Sequence, residues 1–371
     1  MTSAGVLVGL LRCELHRIFA TSVFRRAEMS GLPEEKSLDE CQEPLFTFGV
    51  IADIQYADKD DGYNYVKTRI RYYRSSLSLL QDAAQDWASE PAQPAFILQL
   101  GDIIDGFNAP LKTSETSLAK VLAEFEKLKI PVHHIWGNHE FYNFSRKNLM
   151  ESQLNSAHLG EAEVTPAEGA SDPESFYAYH FSPFPKFRLL LIDSYDLSVI
   201  GRDPTSHKYG KSLKVLKQKN KNADLNSPAG LEDPRFVSFN GGVSNDQLNW
   251  INSVLQTADK NEETVMVAGH LPIYPPSTDP ICLTWNFLEV LALLQSHPSV
   301  VAYFSGHDHD GGYSQDTCGI HHITFNGLIE TPPSSQAFAT MEIYEDRMEL
   351  QGRGLIPNRT LIYRTRQYTN M

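Results

Sequence analysis

Thr47 to Asp58 reads "TFGVIADIQYAD", and the fold can be worked out from this stretch. The apolar run before Asp53 has the length and content of a buried strand. It ends on a carboxylate, and Gln55 follows two residues later. In open α/β proteins, ligands gather where strands end. The same arrangement recurs along the chain. "AFILQLGD" ends at Asp102, with Asp105 just beyond. "IPVHHIWGNHE" breaks at Gly137 into Asn138, His139 and Glu140. "TVMVAGH" ends at His270, and "VVAYFSGHDH" runs out at His307 and His309. Polar clusters at successive strand ends point into one pocket.

The donors in these clusters suit a metal centre. Carboxylate, amide oxygen and imidazole together favour Mn²⁺, Fe²⁺ or Zn²⁺ with more than four ligands. Asp102 has two oxygens and can bridge two cations, which sit roughly 3.5–4 Å apart in such sites. The expectation is two divalent ions. Gln55 brings to the first of these clusters an amide oxygen, which is harder and less basic than imidazole nitrogen. That favours Mn²⁺ over Zn²⁺ and leaves Mg²⁺, Fe²⁺ or Zn²⁺ as other occupants.

Composition narrows the class. The chain has 371 residues, 41% of them hydrophobic, enough for a sizeable core. Its net charge of −14 disfavours nucleic acid and anionic lipid as partners. Small anionic substrates remain, because bound cations invert the local field. Cys13, Cys41, Cys282 and Cys318 form no CxxC pair, so the expectation is a reducing compartment without a disulfide framework or structural zinc. No apolar run is long enough to span a membrane. Residues 1–44 read as a poorly ordered extension, with a transit-like amphipathic helix as the alternative. The expected protein is a cytoplasmic monomer, or one sent to mitochondria by that extension.

Strands and helices alternate from Phe46 onward, giving one α/β domain over 45–371 with sheet layers covered by helices. Val66, Ile70, Tyr73, Leu77, Leu80, Ala84 and Trp87 recur at steps of four and three, which predicts one long amphipathic helix. Leu118, Val121, Leu122, Phe125 and Leu128 predict a second. Residues 145–180 read as irregular, and "KFRLLLID" as a strand. Residues 200–243 read as an insertion with a Lys-rich helix. Ser244 and Gln247 form a capping-box pattern before Leu248. "NFLEVLALLQ" is a helix, and "HHITF", "ATMEIYE" and "RMELQGR" close the domain as strands.

The order "DIQ", "GDIID", "GNHE", "GH", "GHDH" resembles the D-x-H, G-D-x-x-D, G-N-H-D/E, G-H, G-H-x-H series of the calcineurin-like metallophosphoesterase superfamily. Longer stretches, "LQLGDIIDG", "VHHIWGNHEFYNFSR", "YHFSPFPKFRLLLID", "HLPIYP" and "GHDHDGGY", are similar to the manganese-dependent ADP-ribose/CDP-alcohol diphosphatases, which carry Gln in the first motif. The resemblance implies an α/β sandwich of two mixed β-sheets flanked by helices. It implies that Asp53, Gln55, Asp102 and His309 hold one cation, and Asp102, Asn138, His270 and His307 the other. His139, beside Asn138, would be general acid or charge stabiliser, with Asp105 and Glu140 behind the ligands. The implied reaction splits the pyrophosphate of ADP-ribose, CDP-choline and similar compounds into a nucleoside monophosphate and a phosphorylated sugar or alcohol.

Tyr65, Tyr142, Leu225, Tyr274 and Cys282 lie on loops that could line a slot for the base. Cys282 has no basic neighbour to make it a nucleophile. Arg353 and Arg359 read either as phosphate contacts or as surface charge. His133, His134, His321, His322 and Asp193 read as structural. Among other functions, a phosphoprotein phosphatase would carry Arg after the second acid of "GDIID", where this chain has Gly106. The acidic balance counts against a nuclease. A phosphodiesterase for small cyclic nucleotides stays open. A non-catalytic scaffold should have lost ligands, and only Gln55 departs from the pattern.

Overall fold

The computed structural model describes residues 43–64, 67–159 and 174–364. The expected extension therefore lies, through residue 42, outside the described residues, as do Tyr65 and Val66. The described residues begin with β1 (Phe46–Ile51), a small hairpin of β2 (Gly62–Tyr63) and β3 (Ile70–Arg71), α1 (Ser75–Ser89), β4 (Ile97–Gln99), α2 (Asn108–Leu111), α3 (Ser114–Glu126) and β5 (Val132–His134). They continue through α4 (Asn138–Asn143), α5 (Arg146–Glu151), β6 (Tyr179–Phe184), β7 (Phe187–Leu191), α6 (His207–Lys219), α7 (Asn245–Lys260), β8 (Thr264–Ala268) and α8 (Phe287–Gln295). They close with β9 (Val300–Ser305), β10 (Gly312–Gln315), β11 (His321–Thr324), β12 (Ala337–Ile343), β13 (Arg347–Gly354) and β14 (Arg359–Ile362).

Two mixed six-stranded sheets result, ordered β14-β13-β12-β1-β4-β5 and β10-β11-β9-β8-β7-β6. The first sheet is parallel through β1, β4 and β5 at one end, and the second through β11, β9, β8 and β7 at its centre, where buried β-branched and leucine residues leave no polar face for water. The sheets pack through apolar side chains. Phe46 meets Phe184 and Phe187 across the gap, with ring centroids 5.9 and 5.1 Å apart, and Phe96 meets Phe181 at 5.2 Å. Helices α7 and α8 cover the second sheet's outer face, packing Ile251, Leu255, Val290 and Leu294 on Val265, Val267 and Val300. On the first sheet, Trp87 of α1 meets Phe338 of β12 edge-on.

Register positions the site. Ile51 pairs with Gln99, and Gln99 with His134, so β1, β4 and β5 end level with one another. Leu191 pairs with Ala268, and Ala268 with Phe304, so β7, β8 and β9 do the same. The polar clusters that follow these strands are thereby brought to one edge.

Three local expectations need correction. The predicted helix over Val66–Trp87 starts only at Ser75, because residues before it form the hairpin. Asn64 turns the chain by accepting the backbone N–H groups of Thr68 (2.9 Å) and Arg69 (3.3 Å). Residues 145–180, read as irregular, contain α5 and the start of β6, whose Tyr179 and Phe181 are buried. The capping box at Ser244 is half made. The Ser244 hydroxyl accepts from Gln247 N at 3.3 Å, but the Gln247 side chain turns to Asp193 and Asp196 instead. Asp196 also takes the Ser244 N–H, at 3.0 Å. Ser244→Ala removes one cap bond and is expected to cost about 1 kcal/mol in urea unfolding.

Candidate metal centre

Asp53, Gln55, Asp102 and His307 all have positive φ, 50°, 43°, 57° and 69°. They are four of the nine non-glycine residues in that region among the described residues. Such conformations cost about 1–3 kcal/mol each and persist where surrounding structure enforces them. Here the enforcing bonds are visible. Glu140 accepts the backbone N–H groups of Asp102 (2.8 Å), Ile103 (2.7 Å) and Gly137 (2.6 Å). It thus braces the Asp102 turn rather than His139. Burial, with the Asp102 charge close by, pushes Glu140 up to about 7 against those donors. Gly137 is required by contact: a Cβ there would meet Asp102 Oδ1 at 2.2 Å.

The side chains from the two sheets meet around Asp102. His270 Nε2 lies 3.5 Å from Asp102 Oδ2, and His139 Nε2 lies 3.9 Å from it. Gln55 Nε2 is 3.2 Å from Asp102 Oδ2 and 2.9 Å from His309 Nε2. His309 Nε2 is 3.4 Å from Asp53 Oδ1, and Asp53 Oδ2 accepts the His307 N–H at 3.0 Å. Asp102, His270 and His307 bring ligand atoms within 4.8 Å of one another.

A cation fits this donor set. Asp53 Oδ1, Gln55 Oε1 and His270 Nε2 are buried without a hydrogen-bond partner. Each histidine is anchored by its other ring nitrogen. His270 Nδ1 faces Leu100 O at 2.8 Å, His307 Nε2 faces Asn240 Oδ1 at 2.9 Å, and His309 Nδ1 faces Glu330 Oε1 at 2.9 Å. The Asn240 amide donates to backbone carbonyls, among them Ile281 O at 2.6 Å, so its oxygen is the end facing His307. The nitrogens left for ligation are His270 Nε2, His307 Nδ1 and His309 Nε2. Electrostatics agree. Burial would raise Asp102, but His270 and His139 override it and hold the carboxyl well below its usual range. Burial opposes charge on His270, yet Asp102 lifts it to about 9. A cage that draws positive charge onto imidazole draws a cation to the same place.

Asn138 and His139 open α4. The Tyr195 hydroxyl donates to Asn138 Oδ1 at 3.1 Å, and Asn138 Nδ2 faces the Tyr142 hydroxyl at 3.4 Å. The Gly106 N–H donates to His139 Nδ1 at 2.7 Å, with Asp105 Oδ2 3.4 Å from the same nitrogen. Nδ1 is therefore an acceptor, and the proton sits on Nε2, facing the centre. On its other side, Tyr142 borders a cavity of about 730 Å³ lined by Phe144, Lys147 and Met150.

The loop residues expected near a base divide. Tyr142 touches the site, with its ring centroid 5.2 Å from that of His139. Cys282 is near Asp308 and Asp279, and burial with those acids pushes its thiol well up, which disfavours a thiolate. Tyr274 stacks on His322 at 4.5 Å, while Leu225 packs against the cluster of Leu216, Phe236 and Trp285. Arg353 pairs with Asp86 at 3.1 Å and Arg359 lies over the Tyr313 ring. His133 bonds Tyr179 and His134 bonds Gln99, and burial takes both down to about 3. Asp193 pairs with Arg146 at 2.5 Å. Sequence reading missed Glu330, Arg71, Asn240, Tyr195 and Phe239, whose ring is 5.9 Å from that of His307. None sits in a motif; a lone "NGLIE" in the tail was the one available signal for Glu330.

Comparison with known proteins agrees with this geometry. A family described as calcineurin-like phosphoesterase matches residues 46–311. The chain belongs to that family, among the manganese-dependent ADP-ribose/CDP-alcohol diphosphatases. Relatives of that name include one from Xenopus tropicalis, 59% identical over 327 residues, covering 87% of this chain and 96% of the relative. A Homo sapiens relative is 52% identical over 336 residues, covering 91% and 98%, and one from Arabidopsis thaliana is 40% identical over 313 residues, covering 84% and 95%. The crystal structure of a dimetal phosphatase from Danio rerio superposes with a TM-score of 0.82 at 49% identity, covering 87% of this chain and all of that one. The sandwich of two mixed sheets with helices outside is thus shared with that structure. Among the described residues no helix is long and apolar enough to cross a membrane.

Proposed function

We infer that the protein is a manganese-dependent diphosphatase that hydrolyses ADP-ribose and CDP-alcohols such as CDP-choline to a nucleoside monophosphate and a phosphorylated sugar or alcohol. The observation that carries this reading is the Asp102-centred ligand set, with Gln55 in the first position, in a chain this close to diphosphatases of that name. Asp53, Gln55, Asp102 and His309 would hold one divalent cation, and Asp102, Asn138, His270 and His307 the second. When bound, paired cations supply Lewis acidity and a nucleophilic water. The chain's residues do the rest. Asp102, with one oxygen for each, would contribute to both positions. Asn138 is aimed by Tyr195, and the positive-φ turns hold the ligands without waiting for substrate.

His139 acts as a hydrogen-bond donor through Nε2–H, steadying charge on a phosphoryl oxygen. Its tautomer, set by the Gly106 N–H, supports that role over general acid catalysis. The chemistry asks for no more, because the leaving phosphomonoester has a second pKa of about 6 and departs unprotonated. The reading takes the protein as a cytoplasmic monomer acting on small molecules; light scattering at micromolar concentration checks the oligomeric part. The functional test is a panel of ADP-ribose, CDP-choline, a cyclic nucleotide and a phosphopeptide, each with Mn²⁺ and with Mg²⁺. The expected order puts the two diphosphates with Mn²⁺ first. A phosphopeptide turned over faster than either would replace this reading with a protein phosphatase.

A further inference from the structure

Three histidines converge on the two cation positions, and each is backed by a different group. Behind His270 stands a neutral carbonyl, Leu100 O, and behind His307 a neutral amide, Asn240. Behind His309 stands a carboxylate, Glu330, at 2.9 Å. The charged partner therefore serves the histidine that shares its position with Gln55, whose Nε2 lies 2.9 Å from His309 Nε2.

We propose that Glu330 is a positioning residue that compensates, through His309, for the weak amide ligand at Gln55. A carboxylate on one ring nitrogen makes the opposite nitrogen a stronger donor and fixes the ring's orientation. An amide oxygen is less basic than imidazole nitrogen and donates less to a cation, even where its hardness selects Mn²⁺ over Zn²⁺. One position thus combines its weakest ligand with its most strongly backed histidine.

The backbone holds this arrangement in place. Leu328 N donates to Ala52 O at 3.1 Å and Ile329 N to Asp53 O at 3.0 Å, tying the Glu330 turn to the first ligand. Gly327 N donates to His309 O at 3.1 Å, tying it to the last. A Cβ on Gly327 would meet His309 Cδ2 at 2.7 Å, so the turn lies directly on the ring. Arg71 Nε sits 3.1 Å from the same Glu330 Oε1, and its other end is 3.8 Å from Asp105, the neighbour of His139. Glu330 is thus held on three sides by ligand backbone, ligand ring and a cation.

The inference rests on the two-cation reading of the site, and the test separates the two. Mn²⁺ is titrated into the full chain while free Mn²⁺ is followed by electron paramagnetic resonance, with no turnover involved. Wild type, Glu330→Gln, Gln55→His and the double variant are compared. Glu330→Gln is expected to weaken one site about 10–100-fold and leave the other nearly unchanged. In the Gln55→His background the same change is expected to cost several-fold less, since imidazole no longer needs the help. Metal-free melting temperatures near wild type exclude misfolding as the cause; if Glu330→Gln itself melts early, Arg71→Gln, which leaves the His309–Glu330 bond in place but removes its anchor, is expected to give a smaller loss at the same site. An equal loss in both backgrounds, an equal loss at both sites, or no loss overturns the proposal. A wild type that binds fewer than two Mn²⁺ overturns the two-cation reading itself.

Discussion

Asp102→Asn is expected to lower kcat on ADP-ribose by roughly 10³-fold at saturating Mn²⁺, because charge stabilisation by paired cations is worth several kcal/mol and each 1.36 kcal/mol is tenfold. The substitution separates chemistry from folding. Asp102 sits at φ 57°, a region Asn tolerates well. An amide oxygen still accepts the His139 N–H that Asp102 Oδ1 takes at 2.8 Å. What is lost is the second anionic oxygen facing His270 and Gln55. Melting temperature should therefore hold while Mn²⁺ affinity falls at both positions. Rate assays with calorimetric Mn²⁺ titration measure this, and a variant with near-normal turnover would take the bridging role away from Asp102.

The site was legible in sequence to the extent that chain direction dictates it. Asp53, Asp102, Asn138, His270 and His307 each follow a buried strand, and level parallel register does the gathering. The supporting shell was not legible, because Glu330 and Asn240 reach the ligands, and Arg71 reaches Glu330 from β3, by approaches that tertiary packing sets. Their signals are single polar residues without period. The same reason explains the misread helix start. Val66, Ile70 and Tyr73 matched a helical face, but Asn64 offered the backbone a side-chain acceptor, which competes with helix formation. Ser244 and Gln247 show the limit from another side. The pair has box spacing, yet the buried Asp196 carboxylate, already facing Arg202 and Lys208, takes the N–H that Gln247 would have reached.

His139→Ala is expected to lower kcat by roughly 10²–10³-fold, the usual consequence of removing one donor to a charged transition state. KM and Mn²⁺ binding should change little, since the ring lies 3.9 Å from Asp102 and bonds Gly106 rather than a ligand. The tautomer makes a sharper claim. A donor to a non-bridging oxygen helps equally whatever group departs. A general acid helps most when the departing oxygen is a poor leaving group, as in opening a cyclic nucleotide. The fold-loss should therefore be about the same for ADP-ribose and for any cyclic nucleotide the wild type turns over. A much larger loss on the cyclic substrate would place the transferable proton on His139. Asp105, 3.4 Å from Nδ1, would then be the group that supports the charged ring.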